Sequence, residues 1–322
     1  MTSEAIQKTT HHAVIRRPEM REAVLTLGTI EIALSEYATT GLLALGIGPR
    51  GCGKTNAGQL MAEQLSSQGW VAVLFDPEGE METMYGDAVA SVDELRERLR
   101  RRDKPILVVR VATAEQFVPY GRAVLEVADE LRKPLFIVID EGQVFSAPRK
   151  RSACLGEAAD IINEFADRGR KRAVDLYMTA LRYTGSVHRS LFAHTNLTLI
   201  GCQNDAAGWA ALSPQFKSAG ITFRDLSSLG PAEFFCISRR GIDKTKMQMA
   251  EALERVAPAA EPVRRHLPAT FSQWDRAMRE MPVERLARLS PDVVSLLGTV
   301  AGLSPHQVAV GQTALSDEIQ AR

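Results

Sequence analysis

Gly48-Pro-Arg-Gly-Cys-Gly-Lys54-Thr55 has the spacing Gly-x-x-x-x-Gly-Lys-Thr, and each fixed position answers a need of a bound triphosphate. Gly48, Gly51 and Gly53 let the backbone curl until its N–H groups converge on phosphate oxygens. Lys54 brings a point charge to the β- and γ-phosphates, and the Thr55 hydroxyl offers a ligand to Mg²⁺. Pro49, Arg50 and Cys52 complete the loop, and Asn56 follows it. A second chemical pair, Asp140-Glu141, ends the apolar run at 135–139. There Asp140 would hold the Mg²⁺ shell through water, and Glu141 would polarise an attacking water. An Asp followed at once by Glu favours water as the acceptor, hence hydrolysis of ATP over transfer to a small molecule. Arg168, Arg170, Lys171 and Arg172 form a basic cluster. It reads either as a solvated face or as the source of an arginine supplied in trans, a device worth about 10³ to 10⁵ in rate.

These groups need a rigid frame, and the chain supplies one. Residues 42–47 read as a buried strand before the loop. Ala57, Leu60, Met61 and Leu65 recur at helical spacing after it, with Gly69 as the stop. The helix thus begins at the loop, with its positive end toward the anion. Further strands are predicted at 70–75, 105–111, 135–139, 175–179 and 197–200, and a last one at 233–238. Residues 23–33 alternate as a strand or hairpin around Gly28. Helices are predicted from the cap Ser91-Val-Asp-Glu94 to about 102, from Pro119 to about 133, and from about 156 to 165. Strands alternating with helices in this way make a doubly wound α/β domain with a mostly parallel sheet. The expected organisation is an arm at 1–22, a P-loop domain at 23–250 and a small helical appendage at 251–322.

Composition narrows the field. The 322 residues include 39 basic and 39 acidic side chains, so net charge is zero. Bulk electrostatic coating of nucleic acid is thereby disfavoured, while a local Arg patch remains compatible. Cys52, Cys154, Cys202 and Cys236 lie far apart with no Cys-x-x-Cys pair, which points to free thiols in a reducing cytoplasm. No apolar run approaches the roughly 18 to 20 residues that span a bilayer, and the polar start does not read as a signal peptide. The six His residues show no metal spacing.

Several motifs also occur in a telling order. After Gly-x-x-x-x-Gly-Lys-Thr-Asn come Phe75-Asp-Pro-Glu-Gly-Glu80, Ile139-Asp-Glu141 and Gly169-Arg-Lys171. Thr179-Ala-Leu-Arg182, Ser186-Val-His188 and Leu229-Gly-Pro-Ala-Glu233 follow. Over residues 26–240 the chain resembles the HerA/FtsK superfamily of ring-forming, ATP-driven DNA pumps, and the HerA branch most. The resemblance implies a RecA-like fold of the additional-strand P-loop class, a ring homo-oligomer of six subunits, and ATP with Mg²⁺ at subunit interfaces. It also implies double-stranded DNA in a central channel. Lys54, Thr55, Asp140 and Glu141 take the nucleotide and catalytic positions. Arg170 becomes the first choice for the trans-acting arginine, and Arg182 the second. Arg149, Lys150 and Arg151 would meet DNA phosphates without reading sequence.

The chain departs from that pattern in three places. Leu181 stands where the family has a Gln that senses the γ-phosphate, with Thr179 the nearest polar substitute, so turnover would be slow or differently gated. Glu78 replaces a His, and about 25 residues before the core leave no room for the β-barrel of cellular HerA proteins. A core of this size resembles genome-packaging ATPases of membrane-containing viruses, cytoplasmic or virion-associated, with a capsid vertex or a nuclease as partner. It suits a mobile element equally. Two alternatives stay open: an ATP-dependent assembly scaffold with weak hydrolysis, and a protein- or filament-export ATPase of the same superfamily. A small-molecule kinase has neither a lid nor an acceptor site in its favour.

Overall fold

The computed structural model describes residues 23–146, 152–183 and 189–256, with the backbone alone at 168–170, 189–190 and 256. The expected arm at 1–22, the basic loop at 149–151, Ser186-Val-His188 and the expected helical tail beyond 256 lie outside the described residues.

The described residues open as a hairpin, β1 (Val24–Leu27) against β2 (Ile30–Ala33), with Gly28 turning at φ 64°. A larger sheet then collects β3 (Leu43–Ile47), β4 (Val71–Asp76), β5 (Ile106–Arg110), β6 (Leu135–Ile139), β7 (Val174–Ala180) and β8 (Leu197–Ile200). It is completed by β9 (Glu233–Ser238) and β10 (Gly241–Lys246). Its order is β10-β9-β8-β3-β7-β6-β4-β5. The run from β8 to β5 is parallel, and β9 and β10 are antiparallel. Strand β10 is an addition to the sequence reading, which stopped at 233–238. Its pattern is mostly polar, as an edge strand exposed to water requires.

The central strands are apolar on both faces because both faces are covered. Leu43, Leu45, Ile47, Val73 and Phe75 enter one core with Phe117, Ile162 and Phe216. Ala44, Ala72 and Leu74 enter the other with Leu60, Met61 and Leu65. The helices are α1 (Lys54–Ser67), α2 (Glu82–Tyr85), α3 (Val92–Arg101), α4 (Ala114–Leu131), α5 (Ala153–Arg172), α6 (Arg189–His194), α7 (Ala206–Ser218), α8 (Phe223–Ser227) and α9 (Glu251–Val256). The N-cap Ser91 accepts from the Glu94 N–H at 3.1 Å, and the Glu94 carboxylate accepts from the Ala90 N–H, so α3 starts as expected.

Two helices differ from expectation. Helix α4 begins at Ala114, ahead of Pro119, because Thr113 caps it and Gln116 accepts from the Ala112 N–H. A cap with its reciprocal partner outweighs the preference of proline for a first turn. Helix α5 runs on to Arg172 through Gly169, so the basic cluster is the end of a helix. There the Arg172 guanidinium reaches Asp129 of α4 and Glu164 of α5, which anchors that end. The sequence reading missed α7 and α8. Asp205 caps the first through the Gly208 N–H, and a reciprocal Thr222–Asp225 box caps the second.

Helix α1 is held from two directions. Gln64 and Gln68 accept from the N–H groups of Thr26 and Val24 in β1. On another side, Asn56 donates to the Gln248 carbonyl at 2.9 Å and accepts from the Ala250 N–H at 2.8 Å. The Glu63 carboxylate accepts from the N–H groups of Glu251 and Ala252 at the start of α9.

Candidate nucleotide site

The phosphate loop leaves β3, the acids leave β6 and Arg182 leaves β7, all at the carboxyl ends of parallel strands. Register places Ile47 beside Ala180, and Ile139 beside Met178. This is the end of an open α/β sheet where ligands bind. Gly51 and Gly53 adopt φ of 78° and 96°, as the curl of the loop requires. The Gly48 N–H donates to the Ala180 carbonyl, fixing the loop's start to β7. The Lys54 ammonium lies within the loop and donates to the Pro49 carbonyl at 3.0 Å. Behind the loop, the Ala232 N–H donates to the Cys52 carbonyl, so Leu229-Gly-Pro-Ala-Glu233 buttresses it. Cys52 is a packing residue here: its thiol lies against Gly48 and Gly201, and burial raises its pKa above the usual thiol value.

Asp140 joins the two halves of the site. Its carboxylate accepts from the Thr55 hydroxyl at 2.9 Å and from the Thr179 hydroxyl at 2.7 Å. Burial lifts its pKa above the ordinary carboxylate value, against the pull of both hydroxyl bonds. Thr179 also accepts from the Glu141 N–H at 2.8 Å. The hydroxyl of Thr179 therefore ties the two acids together. That corrects its expected part as a substitute for the missing Gln: the side chain is fully buried, with both bonding directions committed to the acids.

Glu141 itself has φ 45° and ψ 48°, a left-handed conformation that non-glycine residues seldom adopt. Gly142 follows because nothing larger fits. A Cβ there would lie 2.4 Å from Met178 Cγ and 2.9 Å from the Thr179 carbonyl oxygen. The 3₁₀ turn Gly142–Val144 then brings the Gln143 amide back to donate to the Glu141 carboxylate.

One contributor was missed at the sequence level. Tyr177 of β7 is wholly buried and donates its hydroxyl to the Lys54 carbonyl at 2.8 Å. Burial raises the phenol pKa well above its usual value, so it stays a donor. Its ring fits between β3 and α1 because Gly46 and Gly58 have no side chains: a Cβ at Gly46 would lie 2.0 Å from the Tyr177 hydroxyl. Gly46 inside an apolar strand was the available signal, since such a glycine marks close approach of another group.

The remaining expected residues divide. Lys54, Thr55, Asp140 and Glu141 are brought together. Pro49, Arg50 and Gly51 are exposed on the loop, and Arg182 is exposed beyond the end of β7. Asn56 does not turn toward the loop, since its amide bonds the segment at 248–250. Arg170 lies in the last turn of α5, and its side chain is outside what is described, as are Arg149, Lys150 and Arg151. Leu181 is half-buried. Asp76, at the end of β4, accepts from the N–H groups of Glu78, Gly79 and Met81, so it shapes the turn that carries Glu78.

The donor set suits Mg²⁺, which takes hard oxygen ligands, keeps several waters and uses few protein groups. Thr55 and Asp140 supply that chemistry. Among the described residues no cluster of three or more His, Cys, Asp or Glu could hold a metal by itself.

No protein-family model and no curated protein sequence matches the chain. Solved structures do. The genome packaging NTPase B204 from Sulfolobus turreted icosahedral virus 2, in complex with ATP-gammaS, superposes with a TM-score of 0.51 at 14% identity. That match covers 65% of this chain and 98% of the viral one. The chain has the RecA-like P-loop ATPase fold. B204 in complex with AMP gives a TM-score of 0.51 at 13% identity, covering 66% of this chain and 100% of that one. B204 from Sulfolobus Turreted Icosahedral Virus, a DNA-packaging ATPase, gives 0.50 at 14% identity, covering 64% and 97%. Within this RecA-like P-loop ATPase fold the expected mostly parallel sheet flanked by helices is present, with β9 and β10 as its antiparallel edge.

Proposed function

We propose that this chain is an ATP-hydrolysing motor of the HerA/FtsK type, moving double-stranded DNA as a ring of identical subunits. One observation carries the reading: Thr55 of the phosphate loop and Asp140 of the acidic pair bond each other directly, with Glu141 next in line. In this arrangement Lys54 and the loop N–H groups bind the phosphates. Thr55 and Asp140 hold Mg²⁺, which when bound neutralises charge on the β- and γ-phosphates. Glu141 accepts the proton of the attacking water. The fold shared with two viral packaging ATPases supports packaging or mobile-element DNA transfer as the setting. Arg170, at the end of α5, is the choice for the residue completing a neighbouring subunit's site, with Arg182 second. Arg149, Lys150 and Arg151, in the segment after the acids, are the choice for DNA phosphate contacts.

The test is ATP turnover by the purified chain, with and without double-stranded DNA, at low and moderate salt. The expected result is turnover stimulated by DNA, with the stimulation weakening as salt rises. Lys54→Ala should abolish it through binding, and Glu141→Gln should cut it to a small residual rate while nucleotide still binds. ATP binding without turnover under any of these conditions would overturn the motor and leave a nucleotide-controlled scaffold.

A further inference from the structure

We infer that Gln143 is a positioning residue for hydrolysis, fixing the carboxylate of Glu141 toward the attacking water. The inference rests on the reading of Glu141 as the base. Three features of the backbone exist in sequence order to make the contact. Glu141 takes a left-handed conformation at φ 45°. Gly142 occupies a place where a Cβ would collide with Met178 and with the Thr179 carbonyl. The short 3₁₀ turn then folds the Gln143 side chain back over Glu141, and its Nε2 donates to Glu141 Oε2. A left-handed non-glycine residue is strained and persists only where its surroundings over-determine it.

The base is thereby held at both ends. Thr179 accepts from its backbone N–H, and Gln143 donates to its carboxylate. A free glutamate side chain samples many rotamers, and restricting it to one is what an orienting group does for a general base. The amide has only one sensible orientation, because the reverse would set its oxygen against a carboxylate. That orientation leaves Gln143 Oε1 buried with no bonding partner. An orphaned buried acceptor is costly. The donor bond to Glu141 is what the residue retains in return.

The experiment is steady-state ATP hydrolysis by the full chain, with and without DNA, for Gln143→Leu, Gln143→Glu, Glu141→Gln and the Glu141→Gln/Gln143→Leu double variant. Thermal midpoints and binding of a fluorescent ATP analogue accompany it. Gln143→Leu should lower kcat roughly ten- to hundredfold with KM for ATP and the midpoint unchanged. Gln143→Glu, nearly the same shape but without the donor, should do the same, which covers the case of a leucine variant that fails to fold. The double variant should be no slower than Glu141→Gln alone, because Gln143 acts only through that base. Parental kcat in either Gln143 variant overturns the inference, as does a kcat above the parent's. So does a double variant slower by the product of the two single losses. If Glu141→Gln keeps full turnover, the base assignment falls with it. Loss on Glu141→Gln without loss on the Gln143 variants removes this inference alone.

Discussion

Among the described residues three aspartates are buried, two within strands of this sheet and one just past the end of β6, and their partners separate their roles. Asp76 accepts three backbone N–H bonds and shapes a turn. Asp175 accepts from the Leu42 N–H and the Trp70 indole, joining β7 to β3 and to the start of β4. Asp140 is bonded by two hydroxyls, which can rotate and yield when a cation arrives. Its pKa is raised by burial, so the folded chain binds a proton that the unfolded chain has already released. Stability without ligand therefore falls as pH rises from the ordinary carboxylate value through the raised one. Asp140→Asn removes that penalty. The variant should lose hydrolysis, yet melt no lower than the parent at pH 8 with EDTA present. A clearly lower midpoint would mean that the two hydroxyl bonds outweigh the burial cost. One meeting was legible from residue types: Thr55 of the loop and Asp140 of the acidic pair, read as partners at one site, bond each other. Thr179 and Gln143 were not legible in these roles, because both act through a contact that only the fold brings about.

At the scale of elements, the meeting of β3, β7 and α1 is set by small residues. Gly46 and Gly58 leave a slot, Tyr177 fills it, and its hydroxyl holds the first turn of α1. Gly46→Ala should cost about 1–3 kcal/mol by overpacking, and Tyr177→Phe about 1 kcal/mol through the lost bond. Measured by chemical denaturation, the double variant should cost less than the sum, because Phe removes the atom nearest the new methyl. Additive losses would show that the ring and the glycine do not share one slot. Strands of the buried sheet were easy to read because both faces are apolar. Strand β10 was not, since an edge strand in water carries Asp243, Lys244 and Lys246 in place of a hydrophobic signal. Helix α4 was misplaced at its start because Pro119 drew the boundary that the Thr113 cap sets. Helix α5 was cut short because Gly169 and a run of charge look like a loop, yet Arg172 is braced by acids on two helices.

At the scale of the molecule, 39 basic side chains balance 39 acidic ones, so the DNA contacts proposed above would have to come from a few local cations. If Arg170 completes a neighbour's site, Arg170→Ala and Glu141→Gln chains should each be inactive alone. Mixed, they should regain part of the parental turnover, because some interfaces then pair an intact Glu141 with an intact Arg170. No recovery after confirmed mixing would place the arginine's role within its own subunit. The two-sided hold on α1 has a consequence for synthesis. Asn56 meets its partner Gln248 across 192 residues of chain, and Ala232 braces Cys52 from almost as far along. On a ribosome, the phosphate loop emerges long before the segments that steady it, and contacts so distant in sequence close last. The loop and the first turn of α1 thus stay without these braces until residues 232–250 have been made.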